Sequence, residues 1–272
     1  MSVALIGVPT DVNSSFARGA AKAPSRIRAQ MWSDAGNSYS ENGVNLAADG
    51  VVVDAGDVEL FEDDGDRLRI EAAIAEQLAA GRRALALGGD HSITYPIVRA
   101  TARQFPTLSI VHFDAHPDLY PILDGNRFSH ACPFARILEE AELSLLQIGI
   151  RTMTPQQHEV ARRYGVRELA PWQIAEARSL LPDGTVYVTV DLDALDPAFA
   201  PGVSHREPGG LSVRDVLDTI AAIPGTIIGA DVVELNPDRD VDGLTASVAA
   251  KLSRELIARM HRDGQSESQA FA

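Results

Sequence analysis

Leu108-Ser109-Ile110-Val111-His112-Phe113-Asp114-Ala115-His116-Pro117-Asp118-Leu119-Tyr120 is the stretch from which the rest of the chain can be read. A largely apolar run ends in Asp114, His116 and Asp118, which predicts a buried strand delivering two carboxylates and an imidazole at its exit. Residues two apart in extended chain point to the same side. Hard carboxylate oxygens beside an imidazole suit manganese, iron, cobalt or zinc better than thiolate-seeking metals. Taken alone, Asp-x-His-x-Asp also fits a solvated acidic loop after a strand.

Two further strand exits carry partners. Ala84 to Leu87 runs into Gly88-Gly89-Asp90-His91-Ser92, and Val186 to Val190 runs into Asp191-Leu192-Asp193-Ala194-Leu195-Asp196-Pro197. His91, Asp114, His116, Asp118, Asp191 and Asp193 are more ligands than one ion needs, which points to two metals clamping a shared water.

Strand-like runs at Val3 to Val8, Val51 to Asp54, Leu143 to Ile150, Thr185 to Val190 and Thr226 to Asp231 alternate with helical patterns. The helices are expected at Asp66 to Ala80, Ile93 to Arg103 with Ser92 as N-cap, the later end of Phe128 to Glu140, Pro155 to Tyr164, Pro171 to Ser179, Val213 to Ile223 and Leu244 to Met260. Asp34 to Gly50 reads as a long loop. Repeated strand–helix order with apolar strands predicts a three-layer α/β/α architecture on a mainly parallel sheet, in which ligands bind at the carboxyl ends of strands.

With 272 residues, 45% of them hydrophobic, the chain can bury a sizeable single core. A net charge of −14 argues against nucleic acid as a partner and suits a cationic small substrate. No apolar stretch is long enough to span a membrane. Cys132 is the only cysteine, so no intrachain disulfide can form. An opening, Met1 to Ile6, that enters a strand-like run without a basic leader suggests the cytoplasm.

The three metal motifs resemble the signatures of the ureohydrolase superfamily, which includes arginase, agmatinase and formiminoglutamase. Asn13 to Phe16, Gly125 to Ala131, Pro197 to Leu211 and Gly229 to Glu234 are similar to plant-type arginases. The resemblance implies a single arginase-like domain over 1–262, followed by a polar tail, 263–272, that is either disordered or an oligomer contact. It also implies a trimer or hexamer, and two manganese ions per chain. His91, Asp114, Asp118 and Asp191 would hold one ion, and Asp114, His116, Asp191 and Asp193 the other. In the same resemblance Glu234 holds the substrate guanidinium, Asp118 passes a proton to the leaving amine, and His130 assists exchange with solvent. His112 is expected to be a satisfied core group or to support the ligands from the strand, Asp90 and Asp196 to orient ligands or to hold turns, and His205 to pack in its loop or touch the rim.

Substrate is a separate question. Animal-type arginases carry an acidic residue shortly after the Gly-x-Arg strand end, whereas Gly149-Ile150-Arg151 is followed here by Thr152-Met153-Thr154. That favours a substrate without an amino-acid head, such as agmatine, while the plant-type matches favour L-arginine. Tyr120, Asp124, Asn126 and Arg127, on the loop beside the site, are the candidates for the head group, Arg127 for a carboxylate and Asp124 for an amine. L-Arginine hydrolysis to ornithine and urea is therefore expected, ahead of agmatine. The rival classes are a non-catalytic, metal-stabilised interaction protein and a related single-metal deacetylase.

Overall fold

The computed structural model describes residues 1–270, with side chains through Ser266. Eight parallel strands form one sheet in the order β2 (Val52–Asp57), β1 (Val3–Val8), β3 (Arg83–Gly88), β8 (Thr226–Val233), β7 (Thr185–Asp191), β4 (Ser109–Phe113), β5 (Ser144–Ile148) and β6 (Arg167–Leu169). Strands buried on both faces explain their continuous apolar runs. Leu85 and Leu87 pack on one face with α1 (Ala23–Met31), α6 (Val213–Ala222) and α7 (Leu244–Ala270). Ala84 and Ala86 face the opposite layer, built from α2 (Asp66–Ala79), α3 (Thr94–Gln104), α4 (Pro133–Glu140) and α5 (Pro155–Tyr164). This is the expected three-layer architecture.

Register sets the site. Leu87 pairs with Val232, Val232 with Val190, and Val190 with Phe113. The first residues beyond these four central strands therefore leave the sheet at one level, and they carry His91, Glu234, Asp191 and Asp114. The crossover that sends the chain from β3 past β8 and β7 to β4 makes this the switch point of the sheet, where α/β folds bind ligands.

The structure corrects several local readings. Asp90, not Ser92, caps the turn before α3, its carboxylate accepting from Ser92 N at 3.0 Å. Pro171–Ser179 is a 3₁₀ helix. Its covered apolar positions Pro171, Ile174 and Ala177 are three apart, a spacing that stacks on one side only at three residues per turn. The three-residue edge strand β6 was not foreseen because Arg167-Glu168-Leu169 carries little apolar pattern. The polar tail set apart from 263 onward continues α7 through Ala270, and the remaining two residues lie outside the described ones. Asp263 is tied in by Ile227 N at 3.0 Å and Arg259 Nε at 2.8 Å, side-chain contacts that hydropathy does not reveal.

The loop after β1 is anchored by Asp11, 4% exposed, which accepts from Gly19 N (2.6 Å), Ala21 N (3.2 Å) and Arg18 Nε (2.7 Å). Burial pushes this carboxyl up, but Arg18 and the two amides outweigh it and hold its pKa below the usual value. Asp11→Ala should cost about 2–3 kcal/mol in chemical denaturation, because three donors lose a charged acceptor. The folded pKa is depressed, so the stabilisation is present above the unfolded pKa of 3.8 and is lost as pH falls through the folded value. A difference between the two proteins that stayed constant from pH 7 to pH 3 would contradict this, the lower limit lying just under the reference carboxylate pKa.

Candidate metal centre and active site

His91 is placed by the glycine turn after β3. A Cβ on Gly89 would lie 2.0 Å from Thr10 O, so only glycine lets the turn pass so close to the β1 exit. The imidazole is fully buried, and its Nε2 meets Thr189 Oγ1 at 2.9 Å. Thr189 donates its proton to Asp231 Oδ1 at 2.5 Å, while Tyr187 and Thr94 donate to Asp231 Oδ2. With its hydroxyl proton committed, Thr189 must accept from His91 Nε2–H. That leaves Nδ1 to face the carboxylates, carrying a proton when no metal is bound and offering a lone pair to a cation that displaces it.

That Nδ1 has no hydrogen-bond partner, yet it lies 3.0 Å from Asp118 Oδ2, 3.1 Å from Asp114 Oδ2 and 3.3 Å from Asp191 Oδ2. Three carboxylate oxygens converge on one buried nitrogen without hydrogen-bond geometry. Such a cluster of like donors is stable only around a cation. The other oxygens are fixed from behind: Asp114 Oδ1 accepts from His116 N (2.6 Å), Asp191 Oδ1 from Asp193 N (2.8 Å) and Asp193 Oδ1 from Ala115 N (3.1 Å). Asp193 Oδ2 faces His116 Nδ1 at 3.1 Å, and Asp114 Oδ1 lies 3.5 Å from the same nitrogen. Asp114, His116 and Asp193 thus form a second group able to hold an ion. Oxygen-rich sets with one imidazole fit a hard or borderline divalent ion.

Titration carries the same message. Burial alone would lower His91, but Asp114, Asp118 and Asp191 raise it well above the ordinary imidazole value. Burial, then the repulsion of Asp193 and Asp114, pushes Asp191 well up, and burial with Asp114 raises Asp118 to about 6. His112 also touches Asp114 Oδ2, at 2.8 Å through Nε2. Gln147 donates to His112 Nδ1 at 2.9 Å, so His112 is the Nε2–H tautomer and donates to the carboxylate rather than ligating. Burial drives its pKa down to about 4, which keeps it neutral.

Above this cluster lies a cavity of about 220 Å³, lined among others by His116, Asp118, His130, Asp191, Asp193 and Glu234. Glu234, buried and held at φ 67°, accepts through Oε1 from His91 N and from His130 Nδ1, both at 2.9 Å. Burial lowers the His130 pKa and Glu234 raises it, the net result being about 9. The cavity is roofed by His205, whose ring centre is 5.2 Å from that of His130.

Asp124, Asn126 and Arg127 do not line this cavity. Arg127, its side chain 59% exposed, pairs with Glu139 at 3.0 Å on the outside of the loop. Asn126 instead braces the loop after β1, donating to Asn13 Oδ1 at 3.0 Å. The left-handed turn at Asp124 and Gly125 reverses the chain, with Leu123 and Asn126 bonded to each other, and leaves Asp124 and Arg127 exposed. Ser15, Tyr120, Thr152, Thr154 and Gln157 occupy the wall instead. They are uncharged and lie on loops and a helix start, where spacing gives no signal. Tyr120 is a head-group candidate from the sequence, and the Ser15 and Thr152–Thr154 segments also stand out there. Asp196 orients its own turn, accepting from Ala198, Gly209 and Gly210 N.

Fold and site together define a three-layer α/β/α protein whose acidic, histidine-bearing cluster at the switch point of a parallel sheet could hold metal ions. The chain belongs to the arginase family, whose model it matches over residues 1–258. It is 46% identical to "Arginase 1, mitochondrial" of Arabidopsis thaliana over 279 aligned residues, 96% of this chain and 82% of that one. It superposes on the solved arginase of Medicago truncatula with a TM-score of 0.90 and 44% identity, covering 95% of this chain and 87% of the other. A mitochondrial agmatinase of Gallus gallus is 35% identical over 94% of this chain and 80% of its own length. The cytoplasmic location expected from the opening residues is contradicted by the comparison, since the plant relatives at 46% identity are named mitochondrial. Among the described residues no helix is long and apolar enough to cross a membrane.

Proposed function

We propose that the chain hydrolyses L-arginine to ornithine and urea, using two manganese ions held by His91, Asp114, Asp118 and Asp191 on one side and Asp114, His116, Asp191 and Asp193 on the other. The observation that carries the reading is the convergence of His91 Nδ1 with three carboxylates beneath a cavity that also holds Glu234. When bound, the two ions supply the positive charge that acidifies a water at accessible pH. Glu234 takes the substrate guanidinium, for which a carboxylate is the matching planar partner. Asp118 lines the cavity beside Glu234, where a carboxylate can take a proton from the attacking water and deliver it to the departing amine. His130, joined to Glu234, exchanges protons between the site and solvent. A trimer or hexamer remains part of this reading.

The arginine reading is favoured over agmatine by the 46% identity to a plant arginase against 35% to an agmatinase. With Arg127 and Asp124 outside the cavity lining, recognition of the amino-acid head falls to the hydroxyls and amide of Thr152, Thr154 and Gln157. A panel of guanidino compounds with manganese-loaded protein, scored by urea release, is expected to give L-arginine the highest kcat/KM. Agmatine ahead by tenfold, about 1.4 kcal/mol of transition-state preference, would reverse the assignment.

A further inference from the structure

We infer that Ser15 is the proton relay between His130 and solvent, an inference that rests on the function proposed above. His130 is 8% exposed, and both ring nitrogens are engaged: Nδ1 with Glu234 Oε1 and Nε2 with Ser15 Oγ, each at 2.9 Å. Ser15 itself is exposed to solvent. Its hydroxyl therefore stands between a buried imidazole and bulk water.

An exposed serine on a loop would ordinarily sample many positions, but this loop is fixed on both sides of it. Asn13 accepts from His130 N (3.1 Å) and Asn126 Nδ2 (3.0 Å), and donates to Asp90 Oδ2 (3.0 Å) and Ser92 Oγ (3.1 Å). Beyond Ser15, Ala17 O accepts from Ser204 Oγ and Asn236 Nδ2, each at 2.8 Å. The Asn13 bonds reach the glycine turn before His91 and the segment carrying His130, so the same framework that sets the imidazole also sets the hydroxyl.

A serine hydroxyl can both accept and donate, and this suits the two states of the ring. When His130 is an imidazolium, its Nε2–H is given to Ser15 Oγ while the hydroxyl's own proton leaves to a solvent base. One proton is exported, and neutral imidazole and intact serine remain. The neutral ring keeps its Nδ1–H on Glu234, and its Nε2 lone pair accepts from Ser15 O–H. Protons enter by the reverse path. Ser15 thus acts through His130 and is not assigned a contact with the reacting carbon.

Ser15→Ala and Ser15→Thr test this. Ser15→Ala should lower kcat by about tenfold or more, within the range for a lost acid–base step, with KM changed by less than about twofold. Ser15→Thr, which keeps the hydroxyl, should restore most of it, and added imidazole should raise kcat of Ser15→Ala but not of wild type. A second readout needs no turnover. With histidine-labelled full chain loaded with diamagnetic zinc, the ¹⁵N resonance of His130 Nε2 should move in Ser15→Ala and stay in place in Ser15→Thr. Equal rates for the two variants, a loss confined to KM, no response to imidazole, or an unmoved Nε2 resonance would each overturn the relay. If wild type releases no urea from any guanidino compound, the proposed function fails by itself, and the nitrogen resonance still decides whether Ser15 bonds His130.

Discussion

Asp191→Asn is expected to cut urea release by about 10³-fold or more, roughly 4 kcal/mol of transition-state stabilisation, and to reduce the manganese retained per chain. Asparagine preserves the shape and the acceptor that caps the turn through Asp193 N, so the local backbone should survive. What it removes is the charge of the oxygen 3.3 Å from His91 Nδ1. In the ion-loaded protein that charge is an attraction, and manganese at 100-fold its Kd stabilises wild type by about 2.7 kcal/mol, a gain the variant should lack. In chelated protein the sign reverses, because burial and the neighbouring Asp193 and Asp114 already push the Asp191 carboxyl well up. The chelated variant should therefore melt no lower than chelated wild type. Asp193→Ala, by contrast, should lose one ion together with most activity. Metal analysis and thermal melts with and without chelator separate these cases, and full activity from a single-ion variant would sink the two-ion reading.

Much of this could be read from the chain because its chemistry sits where a periodic pattern stops. Apolar runs of about six residues ending in Gly-Gly-Asp-His, Asp-x-His-x-Asp and Asp-x-Asp mark both the strands and their carboxyl ends, and parallel topology brings such ends together. Strand neighbours were not legible. Nothing local shows that β8 and β7 come between β3 and β4, which is what gathers His91, Glu234, Asp191 and Asp114. Buried polar groups behind the ligands were equally hidden: Thr189, Asp231 and Gln147 sit inside strands or next to apolar residues, and their roles arise from pairing across the sheet. Three of the four head-group candidates do not line the cavity, for a related reason. Arg127 and Asp124 have the right charges and lie close in sequence to His130, but the direction of a loop side chain depends on the turn, here a reversal at Asp124 and Gly125.

Glu234→Gln should lower kcat/KM for L-arginine by about 10²-fold or more, the cost of replacing a charged acceptor for the guanidinium by a neutral one. The backbone should tolerate the change, since the left-handed φ of 67° strains glutamate and glutamine alike. The same substitution leaves a pH signature at His130. Burial lowers that imidazole, yet Glu234 carries it to about 9, above the reference 6.5. A raised folded pKa means that the pair's stabilisation is complete below pH 6.5 and is lost as pH rises through about 9. In chelated protein the melting gap between wild type and Glu234→Gln should accordingly be widest below neutrality and close in alkali. Removing the carboxylate leaves burial as the dominant influence on His130, so its titration in the variant, followed by NMR, should fall below that in wild type. A gap independent of pH, or an unmoved His130 titration, would mean that Glu234 does not control the charge of His130, and the loss of kcat/KM would then report guanidinium binding alone.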